Sequence, residues 1–112
     1  MNKPYFYKYI ALLDSEKVGI HVTFPDLPGC VTFGQDNEEA IREARKVLKL
    51  QLGGMDDDGD TPPEPSTIKN LSNSQKLNDN ETFFLVDAFM PPIPERMAKR
   101  FVKKLVHTSL SQ

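Results

Sequence analysis

Apolar and polar positions along the first third of the chain follow a two-residue period. Tyr5-Phe6-Tyr7-Lys8-Tyr9-Ile10-Ala11-Leu12-Leu13 is dense in aromatic and branched residues, a composition that suits a pleated, half-buried strand. The polar run Asp14-Ser15-Glu16-Lys17 interrupts it, and Val18 to Phe24 resumes with Ile20, Val22 and Phe24 on one face and His21 and Thr23 on the other. The pattern predicts a β-hairpin with a short loop. Phe24-Pro25-Asp26-Leu27-Pro28-Gly29-Cys30 then breaks the strand, since each proline fixes φ and removes an amide donor. Its simplest role is structural, turning the chain so that a short third strand, Val31 to Phe33, can pair before Gly34.

The period then changes from two to 3.6. Asp36 is a good N-cap and Glu39, three residues on, completes a capping box. Ala40, Ile41, Ala44, Val47 and Leu48 recur at helical spacing, with Arg42, Glu43, Arg45, Lys46 and Lys49 between them. This predicts a helix of about four turns, packed on the sheet and stopped by Gly53-Gly54. Residues 56–80 are polar and turn-rich: an acidic run, then Thr61-Pro62-Pro63-Glu64-Pro65-Ser66, then many Asn and Ser. Long structureless loops are uncommon in compact domains, so this stretch is either mobile or contains a second short helix around Ser66 to Leu71. Thr82 to Phe89 reads as a strand completing the sheet. Met90-Pro91-Pro92-Ile93-Pro94 reads as a stiff linker, and a basic tail follows.

Composition narrows the class. The 112 residues are 38% hydrophobic, enough for one small core that would gain from association. Residues 1–95 hold 16 acidic and 9 basic side chains, net −7, whereas residues 96–112 hold Arg96, Lys99, Arg100, Lys103 and Lys104 and no acid, net +5. An acidic body suits a basic partner, and a basic tail suits nucleic acid. One cysteine excludes an intramolecular disulfide and a multi-cysteine zinc site. No signal-peptide pattern or membrane-length apolar run is present, and a cytoplasmic location is expected.

Candidate chemistry is sparse. Cys30 with His21 or His107 has the residue types of a thiol nucleophile and base, but cysteine beside a tight turn more often packs as a small hydrophobe. His21 reads as an ordinary strand residue. Asp56-Asp57-Asp58-Gly59-Asp60 invites a calcium reading, yet an EF-hand loop wants glycine sixth and glutamate twelfth. Here Gly59 is fourth and Thr67 twelfth. A solvated acidic loop, or a contact for a basic protein, fits better. Tyr5, Tyr7, Tyr9 and His21 are expected to share the sheet face away from the helix, as a self-association or partner surface. No catalytic residue, metal or cofactor is assigned.

The order strand, strand, Phe24 to Cys30, short strand with Thr32 and Gly34, Glu38-Glu39-Ala40 with Ala44, and Pro63-x-Pro65-Ser66 resembles HicB-type antitoxins over roughly residues 5–90. The resemblance implies an α+β, partial RNase H-like fold, a three- to four-stranded and mostly antiparallel sheet on one main helix. That domain would occupy residues 1–90, with 91–112 as linker and tail. It also implies a non-catalytic antitoxin that occludes a small, basic, mRNA-cleaving toxin of the HicA type, with Asp56, Asp57, Asp58 and Asp60 as candidate contacts. Consistent with that, no acid stands in Tyr5 to Leu13, where RNase H chemistry needs a carboxylate. A homodimer or higher oligomer is expected. Family members of this kind usually add a DNA-binding module, and Phe101 to Thr108 looks like the strand that opens a ribbon-helix-helix. Two helices should follow, and four residues remain, so DNA contact through Lys103, Lys104 and His107 holds only if that module is complete. The alternatives are a stand-alone ligand-binding or regulatory module and a cryptic nuclease dependent on Asp14 or Asp26.

Overall fold

The computed structural model describes residues 5–15 and 18–90. Its element order is β1 (Tyr5–Asp14), β2 (Ile20–Thr23), β3 (Val31–Gly34), α1 (Asn37–Asp58), α2 (Ile68–Ser74) and β4 (Glu81–Met90). The strands form one sheet in the order β3-β2-β1-β4. The hairpin predicted from the two-residue period is present, with Leu13 opposite Val22 and Asp14 opposite His21. β2 and β3 are antiparallel, with His21 opposite Phe33. The chain divides into two compact units. Tyr7–Ala88 is one, and of the other only Tyr5, Phe6, Phe89 and Met90 are described. Within the latter the rings of Phe6 and Phe89 lie 4.9 Å apart.

The turn after β2 is a plug as well as a bend. Leu27 N–H donates to the Phe24 carbonyl, Cys30 N–H to Leu27, and Phe24 N–H back to Cys30. These bonds direct Phe24, Leu27 and Cys30, three residues apart, into the core. Burying three such side chains stabilises by roughly 1.5–3 kcal/mol for each large one.

α1 packs on β3 and β2 through Ala40, Ala44, Leu48 and Leu52, one per turn. Ala40 lies where backbone meets backbone: a Cβ on Gly34 would fall 2.3 Å from its amide nitrogen. The larger leucines follow further along. Gly53-Gly54 does not stop the helix, contrary to expectation. α1 continues to Asp58 and ends at Gly59, which takes the left-handed conformation at φ 77°. Gly59 N–H reaches the Asp56 carbonyl and Asp60 N–H the Met55 carbonyl, the paired bonds of a Schellman cap. Glycine weakens a helix without ending it; only a residue free to adopt positive φ supplies that cap. The acidic run therefore stands in the last helical turn rather than in a loop. The second helix expected around residues 66–71 exists as α2, shifted to 68–74, with Thr67 as its N-cap accepting from Asn70 N–H.

Candidate partner-binding surface

The C-terminal end of α1, closed by its Gly59 cap, gathers exposed acid and a pair of glycines. Asp56, Asp57 and Asp58 are exposed in the last turn, no basic residue accompanies them, and exposed Asp60 follows. Carboxylates at the negative end of a helix dipole are placed against it, at a cost of about 0.3–1 kcal/mol each. One turn earlier, Gly53 and Gly54 face open space among the described residues, so no described packing requires glycine there, and each costs about 0.8–1 kcal/mol relative to alanine. Leu50, on the same stretch, is 75% exposed.

The chain leaving this acidic end is pinned. Tyr9 Oη donates to the Pro63 carbonyl at 2.5 Å. Asp26 accepts from Ser66 twice, N–H to Oδ2 and Oγ–H to Oδ1, both at 2.6 Å. Burial, then the neighbouring Tyr7, Asp26 and Glu64, push the Tyr9 hydroxyl above its ordinary pKa, so it remains a donor. The segment from Asp60 to Ser66 is thus held at both a proline and a serine, with Glu64 exposed between them. These bonds join the Pro-Asp-Leu-Pro-Gly turn to the Pro-x-Pro-Ser piece. In Asp26 the structure gives the turn a clamp, and both carboxylate oxygens are engaged.

The face assigned to Tyr5, Tyr7, Tyr9 and His21 requires correction. Leu13 pairs with Val22, so the alternate residues Tyr9, Ala11 and Leu13 lie on the buried side of the sheet. Tyr9 is 1% exposed, and Tyr7 stacks beside it at 6.5 Å. His21 lies on the opposite side with Asp14, and its ring meets Phe33 edge-on at 5.2 Å. The Tyr5 side chain lies outside the described residues. Asp14 closes β1 instead of falling in the turn beyond it.

Cys30 is packed. Its thiol donates to the Val47 carbonyl at 3.8 Å, and burial pushes its pKa up to about 11, so it stays protonated at neutral pH. Among the described residues no three His, Cys, Asp or Glu side chains come together as a metal site, and no helix is long and apolar enough to cross a membrane. Lys103, Lys104 and His107, together with the linker and tail 91–112, lie outside the described residues. Sequence reasoning missed Ser66 as the partner of Asp26; the two motif pieces gave their order but no sign of contact. It also passed over Leu50, which stands between Lys49 and Gln51, off the buried stripe of α1.

Comparison with known proteins now decides the family. A model described as the HicB-like antitoxin of bacterial toxin–antitoxin systems matches residues 8–106. The chain belongs to this family. A "14.9 kDa protein in rep-hol intergenic region" of Haemophilus phage HP1 is 32% identical over 66 residues, 57% of this chain. The chain spans half the length of that phage relative. A UPF0150 protein of Helicobacter pylori is 33% identical over 48 residues, covering 43% of this chain and 67% of that protein. Among solved structures, a toxin–antitoxin complex from Streptococcus pneumoniae aligns at TM-score 0.63 and 18% identity, over 75% of this chain and 69% of that one. A HicA3 and HicB3 toxin–antitoxin complex aligns at 0.61 and 17%, over 73% and 98%. The N-terminal domain of the Burkholderia pseudomallei antitoxin HicB aligns at 0.58 and 22%, over 71% and 95%. At these identities the structures establish a shared fold, an α+β sheet with two helices.

Proposed function

We propose that this HicB-like antitoxin neutralises a small, basic, mRNA-cleaving toxin of the HicA type by covering its RNA-binding surface. The supporting observation is the exposed carboxylate cluster Asp56, Asp57, Asp58 and Asp60 at the end of α1, where charge is set against the helix dipole. Exposed carboxylates gathered at one helix end offer a cationic partner a concentrated patch of opposite charge. The net −7 of residues 1–95 adds a field that steers a cationic protein towards it. On this reading residues 1–90 are the partial RNase H-like domain and 91–112 a linker and tail. Operon control through Lys103, Lys104 and His107 depends on a complete DNA-binding module.

The test is co-expression with the small basic protein encoded next to this gene. The antitoxin relieves the growth arrest that the toxin causes; arrest that it cannot relieve sinks the proposal. Asp56→Asn, Asp57→Asn, Asp58→Asn and Asp60→Asn together leave the helix at least as stable by urea unfolding, yet weaken the complex and flatten its salt dependence. Unchanged affinity removes these residues from the interface.

A further inference from the structure

α1 changes its support after Leu52. Up to that point each turn sets a side chain in the core: Ala40, Ala44, Leu48 and Leu52 are buried. From Gly53 to Asp60 no residue is buried; Met55 is half-buried, and everything from Asp56 to Asp60 is exposed. Helices in proteins draw most of their stability from packing, so a stretch without it depends on its own backbone bonds. Two glycines and three aspartates at the negative end of the dipole weaken the helix there. The Gly59 cap, bonded to Asp56 and Met55, closes the stretch onto itself. The next fixed points lie beyond it, at Pro63, whose carbonyl accepts from Tyr9, and at Ser66, held by Asp26. Residues 53–62 are therefore tethered at both ends, and all four aspartates of the cluster ride between the tethers.

We propose that residues 53–60 open as a unit of their own, losing the last helical turn while the rest of the domain stays folded, and that a polycation seated on the carboxylates closes them again. Segments with few buried contacts open locally at free energies below that of global unfolding. The cation favours the closed form because only the helix gathers the charges. Asp56, Asp57 and Asp58 then stand within one turn, and Asp60 lies just past the cap. In the open chain the same carboxylates spread apart and attract it less. A cation at the C-terminal end of a helix also suits the dipole that the aspartates oppose. Binding that prefers the closed form raises its population, and closure strengthens binding by the same factor. The tethers at Leu52 and Pro63 keep the excursion short, so the acidic residues move as a strap. This opening belongs to the free chain and does not depend on the toxin reading.

Residue-resolved hydrogen exchange of the full chain at low salt tests this. After correction for intrinsic rates, the amides of Asp57, Asp58, Gly59 and Asp60 should exchange at least about tenfold faster than those of Leu48 and Leu52. Urea below the unfolding transition should speed exchange at Leu48 and barely touch the last turn, since a small opening exposes little surface. Gly53→Ala and Gly54→Ala should each slow the last-turn amides about fourfold. Hexalysine at about 1 mM, the probe for the polycation, should slow them severalfold in the unaltered chain. It should leave a chain carrying Asp56→Asn, Asp57→Asn, Asp58→Asn and Asp60→Asn unchanged. Last-turn amides as slow as Leu48, an equal response to urea, or indifference to both alanine substitutions would each overturn the proposal. So would hexalysine that protects neither chain, or both alike. Failure here leaves the toxin reading standing, because a rigid acidic surface also binds a cationic protein; that reading fails in co-expression instead.

Discussion

At its first turn α1 is held by side chains that each satisfy a backbone group. Asp36 accepts from Glu39 N–H at 2.8 Å, and Glu39 reaches back to Gln35 N–H at 2.7 Å, one residue before the cap. Glu38 and Glu39 add negative charge where the dipole favours it. At its last turns the same helix has two glycines facing open space and three aspartates facing the wrong end of the dipole. Both ends are capped, the first by side chains and the last by Gly59, but only the last sets its glycines and charges against helix propensity and dipole. A helix that breaks its local rules at one end only marks where selection acts on something besides folding.

Six substitutions test how real that contrast is. The largest effect is expected at the well-built end: Gly34→Ala drives a Cβ into the Ala40 amide nitrogen, and urea unfolding should show a loss of about 3 kcal/mol or more, since backbone cannot step aside. Asp26→Ala comes next. It leaves the Ser66 N–H and hydroxyl without their acceptor, a loss of about 1–3 kcal/mol by the same measurement. Ser66→Ala should cost less than that, because the N–H bond to Asp26 survives. Asp36→Ala, which removes the N-cap, should cost about 1 kcal/mol. The smallest effect has the opposite sign. Gly53→Ala and Gly54→Ala should each stabilise the free chain, by about 0.5–1 kcal/mol. If either glycine substitution destabilises instead, the helix end is serving the fold after all and the contrast fails.

The parts of the fold that follow a period were legible in advance. The hairpin, the short third strand, the capped helix and the last strand all appear close to the predicted positions. Three things escaped, each for a physical reason. The end of α1 was misplaced because a glycine pair reads as a stop, while the residue that caps a helix is the one at positive φ, here Gly59. The tyrosine face was misassigned because β1 is apolar in both phases. Tyr7 and Tyr9 alternate with Ile10 and Leu12, so only the pairing of Leu13 with Val22 tells inside from outside. The Asp26–Ser66 clamp was invisible because 40 residues separate its halves, and no local pattern encodes a contact of that range. At the candidate surface the sequence places the acidic run in a loop, whereas Asp56, Asp57 and Asp58 stand in the last turn of α1.

That clamp has a bearing on ancestry as well as on structure. The aspartate of the turn and the serine of the proline-rich piece are two halves of one device, each with little to do alone. They should therefore be gained and lost together. A related chain in which serine has become alanine is released from keeping the acid, and one in which the acid is replaced is released from keeping the serine. Positions 26 and 66 should drift as a pair across the lineage, while Thr32 and Ala44, which take no part in it, drift without reference to either.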